Sequence, residues 1–136
     1  MDTEATRSLV TKFLAARSAG DRDGIVAALA EDAEWRLPQS ASFGPFKGRD
    51  VVANALAGGV TGTLFDMSTL RRDVHKVVVE GDTAVVQQRL SATTLQGNQY
   101  VNEYCWVYTC RDGKIALLEE YADTLHAGRV FGTVKS

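Results

Sequence analysis

The chain has 136 residues, 45% of them hydrophobic, and a formal charge of −2, which fits one globular domain over residues 1–136 and excludes a disordered chain. Neither sign of charge forms a run longer than Arg71–Arg72 or Glu119–Glu120, so we expect no nucleic-acid partner and no membrane partner. Residues 1–5 lack the apolar segment of a signal peptide, and no stretch approaches the ~18 apolar residues of a membrane span, so we expect a cytoplasmic protein.

The first part of the chain is predicted to be helical. Apolar residues at three- and four-residue spacing predict a helix over Thr3–Ala19, which Gly20 ends. Asp21 or Asp23 is a suitable N-cap for a second, shorter helix that continues to about Leu29.

A strand, a loop and a third helix are predicted next. Ala33–Leu37 has the pattern of a short strand and is ended by Pro38. The loop Gln39–Lys47 is rich in Ser, Gly and Pro and is long enough to act as a lid. The third helix begins at Gly48-Arg49-Asp50 and stops at Gly58-Gly59.

After Gly62 the pattern changes to β-branched runs separated by turn dipeptides, of which Asp112-Gly113 is the clearest hairpin signal. Helices followed by a strand meander predict an α+β fold with the helices on one face of the sheet. A short tail with one helical turn near His126 to Phe131 is expected to follow. The predicted antiparallel strands are Met67–Glu80, Thr83–Leu95, Gln99–Cys110 and Lys114–Asp123.

Cysteine and histidine give no sign of a metal or redox site. Cys105 and Cys110 lie five residues apart in one predicted strand, so their side chains point to opposite faces, and we interpret both as buried thiols. The two histidines are not spaced with cysteines or acids in a ligand pattern. We therefore expect no metal and no cofactor.

Four local strings, in this order of elements, carry a family resemblance. They are Ala19-Gly20-Asp21, Glu31-Asp32-Ala33-Glu34-Trp35, Phe46-Lys47-Gly48-Arg49-Asp50, and Asp112-Gly113-Lys114-Ile115 leading to Glu120-Tyr121-Ala122-Asp123. The chain resembles the NTF2-like, SnoaL-type superfamily, which includes limonene-epoxide hydrolases, polyketide cyclases and ketosteroid isomerases. The resemblance implies an NTF2-like cone, in which N-terminal helices pack on a curved, mostly antiparallel sheet around an apolar pocket.

The resemblance also implies which strand faces line the pocket. Glu120 lies at the position similar to the general-base aspartate of limonene-epoxide hydrolases, and Arg89 at that of the arginine that bridges their two acids. With Glu120 fixed inward, the period of two turns alternate residues of the other strands inward. The expected ligand-binding residues are Phe13, Trp35, Leu37, Ser91, Asn102, Tyr104, Trp106 and Leu118, and the same alternation turns Ala116, Ala122, Tyr108, Val85, Gln87 and Thr93 inward.

The expected catalytic residues leave alternatives open. Arg89 and Glu120 form either the polar end of a site or an ion pair that only closes a cavity. Burial would raise the pKa of Glu120 and Arg89 would lower it. His75 reaches the pocket or the outer face depending on a one-residue change of register, so it is either catalytic or structural.

The specific chemistries of the family match only in part. Ser91 stands where epoxide hydrolases have a second acid, and Phe13 and Leu37 replace the tyrosine and general base of ketosteroid isomerases, so we expect no isomerase of that kind. The remaining prediction is a cofactor-free enzyme that acts on a small hydrophobic molecule with Glu120 as base, as in polyketide cyclases or in epoxide opening. The alternative is a non-catalytic binding or accessory domain. Exposed apolar residues on the outer sheet face predict a homodimer: Val101, Val107, Leu117 and Tyr121.

Overall fold

The computed structural model describes residues 1–133, and residues 134–136 lie outside the described part. Helix α1 spans Thr3–Ala19. Its first turn is capped by the Asp2 carboxylate, which accepts from the Ala5 N–H at 2.8 Å, and Gly20 ends it in the left-handed conformation. Helix α2 spans Arg22–Ala28 with Asp21 as its N-cap, so both predicted helices are confirmed.

Between α2 and the long strands the chain is less regular than predicted. Strand β1 spans Leu29–Arg36 and begins four residues before the predicted Ala33. The predicted loop contains strand β2, Phe46–Lys47, which pairs with β1. Helix α3 covers only Arg49–Asn54. The remainder of that predicted helix, Ala55–Gly59, is a wider π-type turn.

The long strands follow the predicted meander closely. They are β3 (Phe65–Glu80), β4 (Thr83–Thr94), β5 (Gln99–Arg111) and β6 (Lys114–Ala122). In the hairpin between β5 and β6, Asp112 and Gly113 both have positive φ angles, 53° and 78°, as its two-residue turn requires. The sequence predicts one helical turn in the tail near His126 to Phe131. The structure has a two-turn helix there, α4, which spans Thr124–Phe131.

The sheet has the order β2-β1-β6-β5-β4-β3. Its pairs are antiparallel except β1 with β6, which run parallel. Register shifts interrupt the ladder between Asp66 and Arg71 and again between Val74 and Lys76 of β3. Such bulges bend a strand and increase its twist, and the sheet is curved and does not close into a barrel.

The helices pack on the concave face of this sheet, so the α+β cone is confirmed. The main core joins Val10 and Phe13 of α1 to Trp106 and Tyr108 of β5 and Leu118 of β6, all almost fully buried. A second cluster, around Phe65, Leu90 and Tyr100, packs against α4. No helix within residues 1–133 is long and apolar enough to cross a membrane.

Candidate active site

A cavity of about 630 Å³ lies on the concave face of the sheet. Its size is typical of pockets for small organic ligands. Its walls come from α1, β1, β3, β4, β5 and β6, from α4, and from the loop between Leu37 and Phe46. Aromatic side chains dominate the lining. They are Trp35, Phe43, Phe46, Phe65, Tyr100, Tyr104, Trp106 and Phe131.

Pairing across the sheet explains how Glu120 enters the cavity. Glu120 of β6 lies opposite Trp106 of β5, which lies opposite Val86 of β4. Residues paired in this way share one face. The next row along joins Ala122, Tyr104 and Gln88. The predicted inward faces of β5 and β6 are therefore confirmed at Glu120, Trp106 and Tyr104.

The carboxyl group of Glu120 is largely enclosed by protein although it faces the cavity. Burial raises its pKa from 4.5 to about 7, since a carboxylate loses hydration in an apolar site. The charge of Arg17 and the indole N–H of Trp35 lower the pKa of Glu120, but by less than burial raises it. Near neutral pH this group therefore exists in both protonation states.

Arg17 approaches the cavity from the last turn of α1. It lies four residues after Phe13 on the buried face of the helix and is only 7% exposed. Its guanidinium carbon is 5.0 Å from the centre of the Trp106 ring, a cation–π distance. Its Nε and Nη1 are buried and have no hydrogen-bond partner among the described residues.

Arg72 enters the same cavity from β3, where it pairs with Leu90 of β4. Its Nε and Nη2 are likewise buried and unpartnered within residues 1–133. Burial, and to a smaller extent the charge of Arg17, lower the pKa of Arg72 to about 9. Arg72 therefore stays positively charged at neutral pH, at an energetic cost.

Tyrosines form the wall towards α4. The hydroxyls of Tyr100 and Tyr104 are 2.7 Å apart. The Asn102 amide donates to the Tyr100 hydroxyl at 2.7 Å and to the Asp123 carbonyl at 3.0 Å. Burial raises the pKa of both tyrosines. Asn102, predicted to bind ligand, instead holds Tyr100 and the start of α4 in place.

The predicted inner face of β4 is wrong. The buried residues are Ala84, Val86, Gln88, Leu90 and Ala92, so the alternating set Val85, Gln87, Arg89, Ser91 and Thr93 lies on the outer face. The physical reason is that the residues of β4 that are buried are more apolar than those of the alternating set. This arrangement also keeps Arg89 of β4 in contact with solvent, so that its charge needs no buried partner.

Arg89 therefore does not meet Glu120. Its Nε donates to the Glu103 carboxylate at 2.6 Å, and His75 Nε2 lies 3.3 Å from the same carboxylate. All three side chains are exposed on the outer face. Ser91 lies on that face as well, opposite Val101, so neither Arg89, His75 nor Ser91 belongs to the cavity.

The other predicted ligand-binding residues separate into two groups. Trp35, Leu37, Tyr104 and Trp106 line the cavity with Glu120. Phe13 and Leu118 are completely buried and belong to the main core; neither is part of the lining described above. Within residues 1–133 no three His, Cys, Asp or Glu side chains are grouped as a metal site would require.

Several polar residues of the lining were not predicted from the sequence, and among them are Arg17, Arg72 and Gln88. The spacing of Arg17 from Val10 and Phe13 carries a signal, because helical positions seven and four apart share a face. Arg72 has no such signal. The bulge between Val74 and Lys76 changes which face alternate residues occupy, so that both Arg72 and Val77 pair with inward residues of β4.

A family model described as SnoaL-like domain matches residues 10–118. The chain belongs to the SnoaL-like family. No curated protein matches the sequence. Solved structures with the same NTF2-like fold include the three proteins described next.

A protein from Jannaschia sp. that is named a SnoaL-like polyketide cyclase is 18% identical with a TM-score of 0.80, over 98% of this chain and 95% of that one. TerC, co-crystallised with polyporic acid, is 21% identical with a TM-score of 0.80, over 94% and 98%. An epoxide hydrolase of M. tuberculosis, similar to limonene-epoxide hydrolases, is 21% identical with a TM-score of 0.72, over 96% and 93%. At these identities the likeness is one of fold.

Proposed function

We propose that this SnoaL-like protein is a cofactor-independent enzyme that uses Glu120 as a general base on a small hydrophobic molecule. The observation that carries the proposal is the position of Glu120. It is the one carboxylate that residues 1–133 contribute to the aromatic cavity, and burial raises its pKa to about 7. A base with a pKa near the working pH combines a useful population of carboxylate with sufficient proton affinity.

The reaction that fits one such base is proton removal from a carbon next to a carbonyl group. The C–H bond breaks, its proton moves to the Glu120 carboxylate, and its electron pair forms an enolate. The enolate carbon then attacks a second carbonyl of the same molecule, and the resulting alkoxide takes the proton back from Glu120. The cycle returns Glu120 to its starting state and uses no oxidant, reductant or metal.

The shape and polarity of the cavity support this chemistry. Trp35 and Trp106 flank the position of Glu120, with their ring centres 5.8 Å apart. These two rings contact each other, so a flat polycyclic molecule could pack against the aromatic lining but not between them. The named activity of the Jannaschia relative, a SnoaL-like polyketide cyclase, and the polyporic acid bound to TerC agree with a ligand of this kind.

Hydrolytic epoxide opening is not favoured by the same site. That reaction needs an acid on the epoxide oxygen besides the base on water. Ser91, expected at the place of the second acid, lies on the outer face opposite Val101, and Glu120 is the one carboxylate of the described lining. Hydrolytic epoxide opening therefore has no second carboxylic acid in the described lining.

Deuterium exchange tests the proposal directly. Aryl ketones and aryl β-keto esters are incubated with the protein in D₂O, and loss of the α-proton signal is followed by NMR. The proposal predicts exchange above the buffer rate and a loss of about 10²–10⁴-fold in Glu120→Gln. Glu119→Gln is the matched control, because Glu119 is the neighbouring residue on the opposite face of β6.

The two other outcomes decide against the proposal. No exchange above buffer with any probe, while the same probes bind and quench tryptophan fluorescence, would favour the non-catalytic binding domain. Equal exchange in wild type and Glu120→Gln would remove Glu120 from the role of base.

We also propose that two copies of the chain pair through the outer sheet face. Val101 is 49% exposed and Tyr121 is 55% exposed on that face, whereas Val107 and Leu117 are half-buried, so the apolar patch is smaller than the sequence predicts. Sedimentation should show a dimer in the wild type and a monomer in Val101→Asp. A wild-type monomer at high concentration would exclude the dimer.

A further inference from the structure

Two cations that line an aromatic cavity, Arg17 buried and Arg72 half-buried, call for an explanation that the proposed base does not supply. Arg17 and Arg72 both line the cavity. Five ion pairs occur within the described residues, and neither arginine takes part in any of them. Four of their nitrogens are buried without a hydrogen-bond partner in that part of the chain.

Such an arrangement is costly for a protein without its ligand. A buried charge that is not paired loses its hydration without compensation, and two like charges in one cavity oppose each other. Stability alone would favour methionine or leucine at both positions. Arginines that line a cavity and have buried nitrogens without a partner are typical of a site whose partner is the ligand.

Glu120 does not satisfy the two guanidinium groups. No ion pair joins it to Arg17 or to Arg72 among residues 1–133. Burial outweighs the charge of Arg17 in setting its pKa. The ionisable side chains that residues 1–133 contribute to the lining are therefore two cations, one carboxyl group whose pKa is raised, and tyrosines whose pKa is also raised.

We infer that the cavity binds an aromatic or polycyclic molecule that carries an ionised acidic group, a carboxylate or an acidic enol, and that Arg17 and Arg72 hold this group. The inference deepens the proposed function, on which it rests only for placing the ligand in the same cavity as Glu120. Guanidinium groups suit this ligand because each presents parallel N–H donors to a planar pair of oxygens.

The second direct support is the order of groups along the cavity. Arg17 lies over the Trp106 ring, and Trp106 is the cross-strand partner of Glu120. A ring bound in the cavity beside Trp106 could therefore place its acidic substituent near Arg17 and its reacting carbon near Glu120. The anionic group would bind and orient the ligand, while the reaction takes place at another carbon of the molecule.

A matched pair of probes tests the inference. 2-Naphthoate and 2-naphthamide have nearly the same shape and differ in charge. The chain has two tryptophans, Trp35 and Trp106, and both line the cavity, so quenching of intrinsic fluorescence reports binding at this site. We expect 2-naphthoate to bind at least about tenfold more tightly than 2-naphthamide.

Three variants locate the charge that gives this preference. Arg72→Met and Arg17→Met should each bring the ratio of the two affinities close to one, mainly by weakening 2-naphthoate. Arg72 is the more informative position, because it is half-buried on a strand and its loss is less disruptive than that of Arg17 in the core. Arg71→Gln, at the exposed neighbouring position, should leave the ratio unchanged.

The outcomes are separate from those of the exchange assay. Equal binding of the two probes by the wild type, or a preference that survives in both arginine variants, would overturn the inference even if Glu120 proves to be the base. A preference for 2-naphthoate that Arg72→Met abolishes and Glu120→Gln retains would support the inference even if no exchange is found. Circular dichroism confirms that each variant is folded.

Discussion

The raised pKa of Glu120 predicts how the stability of the protein depends on pH. In the unfolded chain this carboxyl group has its ordinary pKa of 4.5, and in the folded protein the pKa is about 7. The folded state therefore holds the proton more tightly. The stabilisation that the folded state gains from binding this proton is complete at pH values below the pKa of the unfolded chain. It is lost as the pH rises through the pKa of the folded protein. At about 1.4 kcal/mol for each pH unit, the loss amounts to about 3 kcal/mol, most of it between about pH 5 and pH 8.

Glu120→Gln removes this titration and keeps the size of the side chain. Urea unfolding followed by circular dichroism across this pH range should show that wild type loses about 2–3 kcal/mol relative to Glu120→Gln as the pH rises. Glu119→Gln, on the outer face, should follow the wild type. A constant difference between wild type and Glu120→Gln at all pH values would refute the reasoning, because it would mean that Glu120 is solvated or firmly paired in the folded state.

Three further predictions concern other positions. Arg72→Met should raise the free energy of unfolding of the ligand-free protein by about 1–2 kcal/mol while weakening 2-naphthoate, since it removes a buried cation without a partner; a loss of stability would contradict this. Arg89→Gln breaks the exposed ion pair with Glu103, so the thermal midpoint of unfolding and the binding of the probes should stay within error of wild type. A loss of deuterium exchange comparable with that of Glu120→Gln would mean that Arg89 takes part in the reaction. Leu118→Ala, at a completely buried position, should cost about 2–5 kcal/mol in urea unfolding with the dependence on urea unchanged; a cost below about 1 kcal/mol would mean that the core closes over the gap.

Elements defined by local chemistry could be predicted from the sequence. Asp21 caps α2 as its position indicated, and Asp112-Gly113 makes the tight turn that pairs β5 with β6. Once Glu120 was placed inward, the two-residue period correctly turned Tyr104 and Trp106 towards the same face. This assignment does not follow from the turn, because a register shift between Thr109 and Cys110 separates the turn from these residues, and the turn alone would pair Glu120 with Cys105. It rests on the family resemblance instead.

The site itself depended on contacts between distant parts of the chain. The resemblance places Arg89 inward, but packing decides the face of β4. This strand pairs with β5 without a register shift from Thr83 to Thr93, and the hydrophobic core selects Val86 and Gln88 over Arg89. The bulge in β3 turned Arg72 inward. Arg17 reaches the cavity only because α1 packs across the concave face of the sheet. Local turns and caps follow from neighbouring residues, whereas the charged groups that meet in this cavity come from three elements, α1, β3 and β6, and are brought together by packing alone.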